Sequence, residues 1–141
     1  MYSTKYAVSI HILSLIALKE EESITSEYIA GSVNTNPALV RRLMSALKKA
    51  GLIEAQTKIG VTGLAKSPEE ISLLQIFKAV EKEQKLFGIH QNTNHKCPVG
   101  AKIGNVLEHI NSQVQTEFEK ELNALRLSDI LADLHLETSS L

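Results

Sequence analysis

Apolar positions keep a helical period over most of the chain, broken once by a short alternating stretch. Ser3 and Thr4 stand where caps would open a first helix through Tyr6, Ala7, Ile10, Leu13, Ile16 and Ala17. Val8, Ile12, Leu15 and Leu18 widen its apolar surface nearly all round, which predicts burial on most sides. His11 lies inside this helix and reads as a core-edge histidine bonded to backbone or water. A second, shorter helix capped by Thr25 or Ser26 buries Ile24, Ile29 and Val33, with Ala30 and Gly31 allowing close approach. A turn at Val33, Asn34 and Thr35 leads to a third.

That third stretch, Asn34 to Glu54, carries the sharpest pattern. Asn36 and Pro37 fit the N-cap and first helical position. Val40, Leu43, Met44 and Leu47 fall on one buried face, and Gly51 fits the left-handed stop. Arg41, Arg42, Ser45, Lys48 and Lys49 occupy the remaining surface. Two helices in this order make a helix-turn-helix, with the basic one as the recognition helix. Thr35, Asn36, Arg41, Arg42 and Ser45 are the candidate DNA contacts, and Lys48 and Lys49 candidate phosphate contacts.

Leu52 to Thr57 reads as a strand with Ile53 and Ala55 on one face. Lys58 to Gly63 would turn the chain and Leu64-Ala65-Lys66 return it, making a small β-hairpin wing. Ser67, Pro68 and two acids predict a helix start, continued by Ile71, Leu74, Ile76, Phe77, Ala79 and Val80. The expected fold is therefore mainly α: a winged helix-turn-helix domain over residues 1–84. A linker over 85–97 and a C-terminal part over 98–141 complete the expected organisation. In that last part Ile103, Leu107, Ile110, Val114, Phe118, Leu122 and Leu125 form one stripe on a helix of about 28 residues. With little chain left to cover it, the stripe predicts packing against a second copy, the alternative being the chain's own domain. Ser128 and Asp129 open a last short helix with Ile130, Leu131 and Leu134 inside, and Glu137 to Leu141 are expected to fray.

Composition adjusts this picture in two places. Of 141 residues 43% are hydrophobic, enough for a core, yet the formal net charge is −1, so no global field draws the protein to DNA. Any contact with DNA depends on a local patch. Arg41, Arg42, Lys48, Lys49 and Lys58 against Glu54 alone supply a net charge of +4 between residues 36 and 58. The N-terminal apolar run is interrupted by Ser9, His11 and Ser14 and does not read as a leader, and no stretch reaches the ~20 apolar residues of a membrane span. With a single cysteine, no intramolecular disulfide can form, which fits a reducing cytoplasm.

HILSLIAL, SEYIAGSVNTNPALVRRLMSALKKAGLIE, PEEISLLQIFKAVE and HKCPVG before a long helix resemble, in this order, the Rrf2 family of bacterial winged-helix transcription regulators. The resemblance covers about Tyr6 to Leu131. It implies a homodimer joined through the long helix, with the recognition helix in the major groove and the wing at the minor groove of a double-stranded palindromic operator. The wing departs from the family's pattern. Its Gly60-Val-Thr-Gly63-Leu64-Ala65 stretch is a few residues short and one glycine poorer than the family's G-x-x-G-G turn.

Cys97 is expected just before the long helix, beside His95 and Lys96 and ahead of Pro98. A helix dipole and a nearby cation favour thiolate there, which makes Cys97 a redox-sensing candidate, against the plainer reading of a small hinge residue. Some members of the family hold an iron–sulfur cluster through three cysteines in this region. This chain has one cysteine, so a cluster is not expected, and His90, His95 and Cys97 lack a regular metal-ligand spacing. No metal or cofactor is predicted. An enzyme is the weakest choice and is not expected, since no catalytic constellation stands at informative spacing. The competing function is a helical protein-interaction module of the same fold that has lost DNA binding.

Overall fold

The computed structural model describes residues 3–19, 24–56 and 61–134. Helix α1 runs Lys5–Leu18, α2 Ser26–Val33 and α3 Pro37–Lys49. Strands β1 (Ile53–Gln56) and β2 (Val61–Leu64) follow, then a 3-10 turn at Pro68–Glu70, α4 (Leu73–Val80), α5 (Pro98–Ala124) and α6 (Leu127–Leu134). This is a winged-helix fold with a long helix appended.

The core gathers where α1, α3 and α4 converge. Ile12 and Leu13 of α1, Val40 and Leu47 of α3 and Ile76 of α4 are fully buried, together with Leu52 and Ile71 between elements. Full burial of each such side chain stabilises the fold by roughly 1.5–3 kcal/mol relative to exposure. As the all-round apolar pattern requires, α1 lies inside the domain, burying even Ser9 and Ser14. Ser14 Oγ donates to the Ile10 carbonyl at 2.8 Å. Gly31 departs from expectation: it faces solvent, and nothing lies within 4 Å of where a Cβ would stand. Of the two small residues only Ala30 is buried, beside the fully buried Ile29.

The hairpin pairs β1 with β2 antiparallel, Ile53 opposite Leu64 and Glu54 opposite Gly63. The return strand therefore begins at Val61, three residues earlier than the two-glycine pattern suggested, and Gly63 is a buried strand residue. The Ile53–Leu64 register dictates this, since it leaves only residues 57–60 to connect the strands. Those connecting residues lie outside the described ones, as does Lys58 with its share of the expected patch.

The helix expected from Ser67 through Val80 is divided. Ser67 Oγ donates to Glu70 Oε1 at 2.8 Å and only one 3-10 turn forms. Ile71 then extends, because its carbonyl accepts from Leu127 N–H at 2.9 Å while Leu73 N–H donates to Leu125 O at 2.9 Å. Ser72 and Gln75 form a reciprocal capping box that restarts the chain as α4. The same bridge brings the chain's last described helix back to the first domain, and Leu127 is fully buried there. In α6, Ile130 and Leu131 pack against the core, but Leu134, expected inside, is 44% exposed at the helix end.

Candidate nucleic-acid interface

Local chemistry fixes both ends of α3. Asn34 adopts a left-handed conformation (φ 64°), which turns the chain tightly after α2. Asn36 Oδ1 accepts from Leu39 N–H at 2.8 Å, and Pro37 follows at the first helical position. At the far end Gly51 (φ 77°) donates to Lys48 O and Leu52 N–H to Leu47 O, both at 3.0 Å, the double bond of a Schellman stop. Val40, Leu43 and Leu47 pin one side to the core, with Met44 half-buried. Rotation by 100° per residue then sends Arg41, Arg42, Ser45, Lys48 and Lys49 to the opposite side, and all five are exposed. Thr35 is half-buried in the turn and Asn36 exposed at the helix tip.

The outward face is cationic, with one restraint that sequence reasoning missed. Arg41 Nη1 lies 3.7 Å from Glu27 Oε1 on α2, the two side chains being 58% and 70% exposed. Glu27 sits on a neighbouring helix 14 residues away, so no local spacing rule reveals it. Exposed pairs of this kind hold weakly. Arg42 forms no ion pair among the described residues.

A second group joins α5 to the winged-helix domain. Tyr6 of α1, Phe77 of α4 and Phe118 of α5 stack edge to face with centroids 6.1 and 5.5 Å apart. Lys78 Nζ meets Glu119 Oε1 at 3.3 Å. Gln115 accepts from Leu86 N–H at 2.9 Å and donates to Gln84 O at 2.8 Å and to Glu119 Oε2 at 2.9 Å. The Gln115 and Lys78 bonds hold the Glu119 carboxyl below its usual range. Phe118 and Leu122 thus pack back toward the chain's own core, whereas Leu107, Ile110 and Val114, with Val106 beside them, are 38–50% exposed and Ile103 is half-buried. The stripe predicted on α5 is continuous in sequence but divided in use.

Cys97 is the N-cap residue of α5 and is exposed. Its side chain makes no formed cap bond, yet the free N–H groups of Gly100 and then Val99 hold its thiol below the ordinary value. Among the described residues no group of three or more His, Cys, Asp or Glu side chains converges as a metal site. His11 Nε2 meets Ser32 Oγ at 2.9 Å, a structural partner on α2. No helix among the described residues is long and apolar enough to cross a membrane.

Three comparisons bear on these features. Residues 2–133 match the family model described as Rrf2, iron-dependent transcriptional regulator. A Bacillus subtilis (strain 168) protein named as an HTH-type transcriptional regulator, YwnA, is 46% identical over 134 residues, covering 95% of this chain and 99% of its own. A crystal structure named as a DNA-binding protein is 42% identical with a TM-score of 0.73, covering 90% of this chain and 98% of that one. The global cysteine regulator CymR of B. subtilis shares the fold at 19% identity and a TM-score of 0.70, over 94% of this chain and 96% of that one. Iron in the family's description does not fit the donors present here. One exposed thiol per chain cannot supply the thiolates of a cluster.

Proposed function

The chain belongs to the Rrf2 family of DNA-binding transcriptional regulators, and on that premise we propose that it acts as a homodimeric repressor on a two-fold symmetric operator. The observation that carries this reading is the uncovered apolar surface on the first half of α5. Val106, Leu107, Ile110 and Val114 are 50, 38, 46 and 42% exposed, and no element of the described chain packs over them. A second copy of the same stripe covers it by a self-complementary contact. Residues 1–84 then serve as the DNA-binding domain, 85–97 as linker and 98–141 as the dimerising part.

Pairing through α5 presents two α3 helices to the major groove, about one helical turn (~34 Å) apart. Arg41 and Arg42 grip phosphates or guanine edges, and Ser45, Lys48 and Lys49 extend the contact along the backbone. Thr35 lies at the approach to the groove. Asn36 is already engaged as a cap, so its role is to aim the helix. Two copies of a local cationic face offset the weak overall charge of −1. Repression needs nothing further, since a dimer seated on a promoter in the cytoplasm excludes polymerase by occupancy.

Anisotropy titration with DNA from upstream of the protein's own gene, at ~0.1 M salt, tests the interface. Arg42→Ala should weaken binding by roughly 1–3 kcal/mol if the side chain reads a guanine, or lower the salt slope by about 1 if it holds a phosphate. Variants at both arginines that bind like the unaltered protein rule out this use of α3.

The exposed, acidified thiol of Cys97 supports a redox input to the same dimer. Thiolate attack on a peroxide O–O bond gives the sulfenic acid and releases hydroxide, next to the start of the dimerising helix. Peroxide should change operator affinity in the unaltered protein and leave Cys97→Ser unchanged. An equal response of both removes Cys97 as the sensor.

A further inference from the structure

The face of α5 that meets α4 through Phe118 and Glu119, and the core through Leu122, continues past Gln115 toward the helix N-terminus as Gly100, Ala101, Gly104, Glu108, Asn111 and Ser112. Among the described residues no helix lies over it there. The linker folds back instead, and the space between holds a cavity of about 750 Å³. Both ends of the cover are fastened: Leu86 N–H and Gln84 O bond Gln115, and Thr93 Oγ1 donates to Gly100 O at 2.6 Å. By helical rotation the centre of this face lies opposite Val106 and about 140° from Ile110, while Leu107 and Val114 flank it.

Its lining is selective. Amides from Gln91, Asn92, Asn105 and Asn111 line it together with His90 and His95, and Lys85 and Glu108, both exposed, bring charges of opposite sign. Neither forms an ion pair among the described residues. Glu108 stands two helical turns, about 10 Å along the axis, before Gln115, which accepts from the N–H of Leu86, the chain neighbour of Lys85. An extended chain of three residues spans about 10 Å between its charged termini. Gly104 leaves the middle open, with nothing within 4 Å of where its Cβ would be.

We propose that this cavity binds a short zwitterionic peptide of two to three residues, its carboxylate toward Lys85, its ammonium toward Glu108 and its peptide groups on the amide walls. A cavity of this volume lies within the range of small-molecule sites. Gln115, which lines it, also holds the linker and Glu119, so an occupant bears on the joint between α5 and the winged-helix domain. No residue of α3 is involved, so the site stands or falls independently of the DNA-binding reading.

Thermal-shift screening of the full-length protein against a defined library of free di- and tripeptides, followed by calorimetric titration of the best binder, tests it. Saturable binding is expected, weakened at least tenfold when that peptide is N-acetylated or C-amidated. Gly104→Leu, which fills the cavity, should weaken it as much, and Lys85→Gln, on the linker, provides a second variant that leaves the helix unaltered. Far-ultraviolet circular dichroism establishes that each variant is folded. No peptide in the library binding, or binding that survives capping of both termini or both substitutions, would overturn the proposal.

Discussion

At the residue scale, the aim of α3 rests on one amide. Asn36 closes the first turn through Leu39 N–H at 2.8 Å, and its loss leaves that donor to water. Asn36→Ala should destabilise the protein by about 1 kcal/mol in urea titration, with the slope unchanged. This cap was legible because it is local: Asn-Pro, four apolar positions and a terminal glycine leave few other readings. The Glu27–Arg41 contact was not, because it joins two helices whose crossing is set by burial of Ile29 and Val40. The unsatisfied hydroxyl of buried Ser9 was equally hidden, since the sequence does not show which of the two buried serines of α1 finds a partner.

At the element scale, α5 runs 27 residues from Pro98, close to the length its apolar period implies. What the period does not reveal is that its two halves face different neighbours. Phe118 meets Phe77 of α4 while Ile110 meets no covering element, although both occupy the same stripe. The division of the expected helix after Ser67 has the same origin. Its start signals are genuine, but Ile71 is taken by a backbone pairing with Leu127, 56 positions away. Joints of this sort carry measurable electrostatics. Glu119 has its carboxyl pKa lowered by Gln115 and Lys78, so its contribution is present above the unfolded value and is lost as pH falls through the folded one. The melting temperature of Glu119→Gln should therefore lie below that of the unaltered protein at pH 7, and the difference should vanish under acid conditions below both values.

At the scale of the whole molecule, the proposed function makes one chain half of a reader. Its outward cations sit on α3, its overall charge is −1, and its uncovered apolar residues lie on a different helix. These features fit together when α5 joins two copies and fixes the distance between two α3 helices. The wing adds a hairpin whose strands are four residues each, and the proposal places recognition on α3. A carboxylate placed in the middle of the α5 stripe should separate the copies without disturbing the core, because Ile110 is 46% exposed. The most direct measurement is operator affinity of the unaltered protein and Ile110→Glu by anisotropy, with the mass of each in solution determined by light scattering. The account predicts a dimer that binds with two chains per site, and a folded Ile110→Glu monomer whose affinity is at least a hundredfold weaker. A monomeric unaltered protein that binds its site with full affinity, or an Ile110→Glu monomer that binds equally well, would contradict it.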